Sequence, residues 1–90
     1  MKIYDIHLSQ ISQKFLDKSN SAIRKQIESR LKNLSSNAVP NDSKFIFRHE
    51  GDMVFRYRIG QFRALYKIKE GESIVLIMKI DKRPRIYQDF

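Results

Sequence analysis

The sequence predicts an α+β fold in which an N-terminal strand and a helical hairpin pack on an antiparallel β-meander. Two observations carry that prediction. Hydropathy alternates with period two at the start, changes to the helical period at Ser9, and returns to period two from Phe45 almost to the end. A strand, two helices and then an unbroken block of strands is the order of an α+β domain with its helices on one face of the sheet.

Residues 2–8 (KIYDIHL) set Tyr4, Ile6 and Leu8 on one face and Ile3, Asp5 and His7 on the other, as in a half-buried strand. Leu8, Ile11, Phe15 and Leu16 then follow helical spacing, which predicts a short helix over residues 10–17 capped by Ser9. Ser19-Asn20-Ser21 offers the next cap. Ile23, Ile27, Leu31 and Leu34 form one stripe of a longer helix over residues 21–36, with Arg24, Glu28 and Lys32 on its solvated side. Residues 35–43 (SSNAVPNDS) read as a loop, since Pro40 blocks helix continuation. Beyond it, Phe45 and Phe47 alternate with Ile46 and Arg48. MVFRYRI, FRALYKIK and SIVLIMKI follow, separated by Gly60-Gln61 and Glu70-Gly71-Glu72.

Ninety residues suit one domain spanning 1–90. The start has no uninterrupted apolar stretch of a secretory signal, and no run is long enough to span a bilayer. With no cysteine, a disulfide scaffold, Cys-ligated zinc and thiol catalysis are excluded, and a cytoplasmic location is expected. Eighteen Lys and Arg against ten Asp and Glu leave a net charge of +8, which favours a polyanionic partner.

Register decides where that charge sits. A Gly-X type II′ turn at Gly60-Gln61 pairs Ile59 with Phe62, Arg58 with Arg63, Tyr57 with Ala64 and Arg56 with Leu65. Phe55, Tyr57, Ile59, Phe62, Ala64, Tyr66 and Ile68 then face the helices, and Arg56, Arg58, Arg63 and Lys67 share the other face. A three-residue loop at Glu70-Gly71-Glu72 would pair Ile68 with Ile74, Tyr66 with Leu76 and Arg63 with Lys79, adding Lys79 to the arginines. Paired arginines repel, and no carboxylate occurs between Asp52 and Glu70 to neutralise them locally. An external anion is one explanation, through guanidinium forks on phosphate oxygens, and a solvated cationic surface is the other. Lys82, Arg83 and Arg85 emerge at the end of the same sheet. Tyr87 is either a stacking or proton-transfer group or a terminal aromatic packed on the core, and spacing alone favours packing.

His7 and His49 have no metal-ligand spacing, and the phosphate-loop, dinucleotide and nucleophile-elbow motifs are missing. No metal and no small-molecule cofactor is expected. RNA cleavage would have to use the substrate's own 2′-OH, with arginines stabilising the phosphorane.

The stretch Phe55-Arg56-Tyr57-Arg58-Ile59-Gly60-Gln61-Phe62-Arg63-Ala64-Leu65-Tyr66 resembles the W-R-I-R-V-G-D-Y-R-hydrophobic-hydrophobic-Y segment of the RelE/ParE superfamily of toxins. Lys82-Arg83-Pro84-Arg85-Ile86-Tyr87 resembles its terminal H-R-R-E-x-Y, with Pro84-Arg85 in place of R-E. The resemblance implies a RelE-like fold and a type II toxin, neutralised by a cognate RelB-like antitoxin, that cleaves mRNA in the ribosomal A site without a metal. It further implies catalytic roles for four residues. Arg56, where some members have Lys, helps to activate the 2′-OH; Arg63 stabilises transition-state charge; Arg83 is the general acid; Tyr87 stacks on or deprotonates the substrate. Arg58 would contact the phosphate backbone, and Lys79, Lys82 and Arg85 join it as RNA-binding residues by face and proximity. Two other readings stay open: a ParE-like inhibitor of DNA gyrase, and a non-catalytic RNA- or ribosome-binding domain.

Overall fold

Strand β1 (Asp5–Leu8) opens the chain, followed by helices α1 (Gln10–Lys18) and α2 (Ser21–Lys32) and a 3-10 turn (Asn33–Ser35). Strands β2 (Ser43–His49), β3 (Asp52–Ile59), β4 (Phe62–Lys69) and β5 (Ile74–Lys82) complete the computed structural model, which describes residues 2–82. The sheet order is β1-β5-β4-β3-β2. β2 to β5 form the expected antiparallel meander, while β1 joins its far edge parallel to β5, making the sheet mixed.

Both helices start on side-chain caps. Ser9 Oγ accepts from the Ser12 amide at 3.1 Å, and Asn20 Oδ1 accepts from the Ile23 amide at 2.9 Å. Leu16, Ile27, Leu31 and Leu34 are buried against Tyr57, Ile59, Tyr66, Val75, Ile77 and Ile80 of the sheet. Each such aliphatic side chain contributes about 1.5–3 kcal/mol by leaving water. α1 departs from its expected stripe: Ile11 is 63% exposed and Ser12 is fully buried in its place. Ser12 faces inward because its hydroxyl donates to the Ile77 carbonyl of β5 at 2.9 Å.

The first two hairpin turns are tight. Glu50 and Gly51 both take positive φ (53° and 85°), a type I′ turn joining His49 to its partner Asp52. At the next turn Gly60 has φ +59° and Gln61 does not follow it into that region, the expected type II′ form. A Cβ on Gly60 would also stand 3.0 Å from Gln26 Nε2 of α2.

Two registers differ from expectation. In β2, a bulge between Phe45 and Phe47 splits the two rings: Phe45 pairs with Phe55 on the helix side, whereas Phe47 lies opposite Val54 on the other face. Between β4 and β5, Ser73 adopts a left-handed conformation (φ 54°) and lengthens the loop to four residues, so Lys69 pairs with Ile74 and Tyr66 with Ile77. A second bulge then re-pairs Leu65 with Lys79 and Arg63 with Asp81. Arg63 therefore does not face Lys79, and Val75, Ile77 and Ile80 enter the core rather than Ile74 and Leu76. The bulge is held from α1. Ser9 Oγ donates to the Met78 carbonyl at 2.8 Å, and the Ser9 amide donates to the Ile77 carbonyl at 3.0 Å.

Glu70, at the same loop, ties down the start of the chain. Its carboxylate accepts from Lys2 Nζ at 2.8 Å and from the Tyr4 hydroxyl at 3.0 Å. These bonds, Lys2's first, hold the carboxyl below its ordinary range. No helix of the described residues is long and apolar enough to cross a membrane.

Candidate nucleic-acid interface

Directly paired residues on neighbouring strands point to the same side of a sheet, so register lays out the face away from the helices. One row runs Lys44, Arg56, Leu65, Lys79 across β2 to β5. The row beside it runs Arg58, Arg63, Asp81 across β3 to β5. Arg56 and Arg58, two residues apart on one strand, stand about 7 Å apart along it. An open polar groove of about 380 Å³ is lined by Arg56, Arg58 and Arg63 together with Lys44 and the loop residues Asn41, Asp42 and Ser43. A larger groove of about 550 Å³ lies between β1 and α2 with Ile6, Leu8, Leu16 and Leu31 in its lining, far more apolar in character.

The cations of the polar groove differ in freedom. Arg58 and Lys44 are exposed, the Arg58 side chain being 64% accessible. Arg63 is 9% exposed, and its Nη1 donates to the carbonyls of Gly60 and Phe62 at 2.8 Å each. Its guanidinium is thus fastened to the β3–β4 turn, and a rigid cation at the groove floor needs little reorganisation to meet a developing charge. Lys67 is also buried, with Nζ 4.0 Å from Asp52 Oδ2.

Neutralisation does reach the arginines, from residues outside the 52–70 interval. Asp42 Oδ1 lies 3.3 Å from Arg58 Nη2, and Asp42 Oδ2 lies 2.7 Å from Arg30 Nη2 of α2. Asp81 is the register partner of Arg63 on β5, though the two form no ion pair among the described residues. Arg30 also donates to the Tyr57 hydroxyl at 3.3 Å and to the Arg58 carbonyl at 3.1 Å. Its pKa is raised further above the ordinary guanidinium value by the Tyr57 bond foremost, with Asp42 adding to it. The expectation that no local carboxylate balances the arginine pair is therefore corrected: sheet neighbours come from distant sequence.

Of the sequence-derived site residues, Arg56, Arg58 and Arg63 meet in one groove, and Lys79 shares their face beyond Leu65. Lys82 pairs with Phe62, whose ring packs in the core, and so belongs to the helix side at the strand's end. Arg83, Arg85 and Tyr87 lie outside the described residues. Sequence reading missed Lys44, Asp42 and Arg30. Alternation with the neighbouring Phe45 could have placed Lys44 on the cationic side, but nothing local brings Arg30 from a helix to the strand.

Comparison with known proteins decides the family. The family model described as "ParE toxin of type II toxin-antitoxin system, parDE" matches residues 6–87. The chain belongs to the RelE/ParE superfamily of toxins. Among other RelE/ParE proteins, it is 33% identical over 66 residues to "Putative toxin RelE1" of Methanocaldococcus jannaschii, covering 72% of this chain and 73% of that one. Its fold is that of RelE. The RelE–RelB complex of Pyrococcus horikoshii superposes with a TM-score of 0.81 at 20% identity, over 92% of this chain and 98% of that one. The RelBE2 toxin–antitoxin complex of Mycobacterium tuberculosis gives 0.75 at 24% identity, over 90% and 99%. Among the described residues of this RelE/ParE chain, no group of three or more His, Asp or Glu side chains is arranged to hold a metal ion.

Proposed function

We propose that the chain is a ribosome-dependent mRNA endonuclease that cleaves in the A site and is neutralised by a RelB-like antitoxin. The observation that supports this reading is the convergence of Arg56, Arg58 and Arg63 on one groove, on the face away from the helices. The 2′-oxygen of one nucleotide attacks the adjacent phosphorus, the bond to the 5′-oxygen of the next nucleotide breaks, and a 2′,3′-cyclic phosphate and a 5′-hydroxyl result. Arg56 stands at the 2′-OH and favours its deprotonation by stabilising the alkoxide. Arg63, pinned by two carbonyls, stabilises the negative charge that accumulates on the phosphorane. Arg83 protonates the leaving 5′-oxygen, and Tyr87 takes the 2′ proton or stacks on the base, in which case that proton passes to water. Arginine holds its proton tightly at neutral pH, so the rate depends on a substrate presented in attack geometry, which the ribosome supplies. Arg58, Lys79 and Arg85 hold the backbone, whereas Lys82, on the helix side, takes no part on this face.

The test is controlled expression of wild type and Arg83→Ala in a bacterial host, with mRNA 5′ ends mapped with and without translation of a reporter. New ends inside translated codons that need both Arg83 and translation are the expected result. Growth arrest without new ends overturns the endonuclease reading. The ParE description of the matching family model favours gyrase as the second target. Gyrase-dependent linearisation of plasmid DNA would then identify it.

A further inference from the structure

Lys44 extends the arginine groove to the β2 edge of the sheet. It is directly paired with Arg56, lines the same groove as Arg56, Arg58 and Arg63, and is exposed. Its ammonium makes no ion pair among the described residues, whereas the neighbouring Arg58 shares Asp42 with Arg30. Asp42 therefore spends its charge on the two guanidinium groups, and the edge of the groove presents Lys44 as its uncompensated cation. An edge strand with a cation at its start, beside a row of cations, is a surface that a polyanion can follow from the groove outward.

We propose that Lys44 is a further phosphate-binding residue, holding the RNA backbone one phosphate beyond the Arg56–Arg63 centre on the β2 side. Asp42 screens Arg58 and Arg30, and Lys44 stands on the β2 side of that pair within the same groove. The inference rests on the reading of this face as RNA-binding and adds a phosphate ligand that neither the arginine motif nor the tail supplies.

The experiment measures binding of a short fluorescein-labelled single-stranded RNA carrying 2′-O-methyl riboses, which removes the nucleophile, by anisotropy over a series of KCl concentrations. Removing one cation that neutralises a phosphate of a single strand lowers the slope of log K against log salt by about 0.7. Lys44→Ala is expected to show about that much reduction and Lys44→Arg to keep the wild-type value. Lys18→Ala, on α1, is expected to leave it unchanged. Lys44→Gln provides the same test should the alanine variant fold poorly. Equal slopes for wild type, Lys44→Ala and Lys44→Gln, or no salt-dependent binding by wild type, overturn the inference. A slope difference together with no cleavage of ribosome-bound mRNA by wild type overturns the endonuclease reading and leaves Lys44 as a phosphate ligand.

Discussion

Asp42 and Arg58 are joined twice: the Arg58 amide donates to the Asp42 carbonyl at 3.0 Å, and Arg58 Nη2 lies 3.3 Å from Asp42 Oδ1. The loop before β2 and the cationic strand β3 are thereby locked in one geometry, with Arg30 of α2 on the other carboxylate oxygen at 2.7 Å. Asp42→Asn keeps the backbone bond and removes the charge that screens both guanidinium groups. RNA binding is expected to tighten by a few fold at low salt and its salt dependence to steepen. Stability should fall by no more than about 1 kcal/mol, because the pairs are partly exposed. Anisotropy titration and urea denaturation of the same variant check both expectations, and an unchanged affinity would show that Asp42 does not oppose the anion.

The β3–β4 hairpin and its arginine pair were legible because two residues, Gly60-Gln61, dictate a turn that leaves one register open. The β4–β5 pairing was not. Ile74-Val75-Leu76-Ile77-Met78 is apolar at every position, so alternation cannot say which side faces the helices. The choice is made by Ser73 and by the two serines at the start of α1, which bond carbonyls at the bulge and are remote in sequence. The same limit explains the site. Arg58 opposite Arg63 follows from local spacing, whereas Asp42, Asp81 and Arg30 reach those arginines through the loop, the last strand and a helix.

Ser12 tests whether the bulge depends on α1. Its buried hydroxyl supplies one of two donors to the Ile77 carbonyl, the Ser9 amide being the other. Ser12→Ala is expected to cost about 0.5–1.5 kcal/mol in urea denaturation, the range for losing a buried hydrogen bond while its acceptor keeps a partner. Amide exchange at Met78 and Lys79 should rise with it. Loss of stability without faster exchange there would place the effect elsewhere.

Arg63 separates charge from shape. Lysine keeps the positive charge but not the planar guanidinium, whose Nη1 alone donates to the Gly60 and Phe62 carbonyls and leaves the other nitrogens for the phosphate. Under the endonuclease reading, Arg63→Lys lowers single-turnover cleavage of ribosome-bound mRNA by about 100- to 1,000-fold, the cost of one misplaced oxyanion donor. RNA affinity changes little. A variant that cleaves at the wild-type rate would remove Arg63 from the chemistry.

Gly60 and Gly71 form a matched pair of turn glycines. Gly60 has φ +59°, and an added Cβ would stand 3.0 Å from Gln26 Nε2, whereas Gly71 has no positive φ and a Cβ there would meet nothing within 4 Å. Gly60→Ala is expected to destabilise by about 1–2 kcal/mol. Gly71→Ala should stay within about 0.5 kcal/mol of wild type. Thermal melts of the two variants make the comparison, and equal melting temperatures would show that the β3–β4 turn relaxes to accept a side chain.

Tyr66 links stability to alkaline pH. It is buried in the core, its hydroxyl donates to the Ala38 carbonyl at 2.7 Å, and burial foremost pushes its pKa up to about 12. In the unfolded chain the phenol ionises at its ordinary value of 10.0, so between that pH and about 12 the unfolded state releases a proton that the folded state retains. The stability tied to the protonated phenol is therefore fully present below pH 10 and is lost as pH rises toward 12. Wild type should lose melting temperature more steeply across that window than Tyr66→Phe, which has no proton to release, even though the phenylalanine variant starts lower for want of the Ala38 bond. Parallel slopes would mean that the Tyr66 hydroxyl ionises as readily in the folded protein as in water.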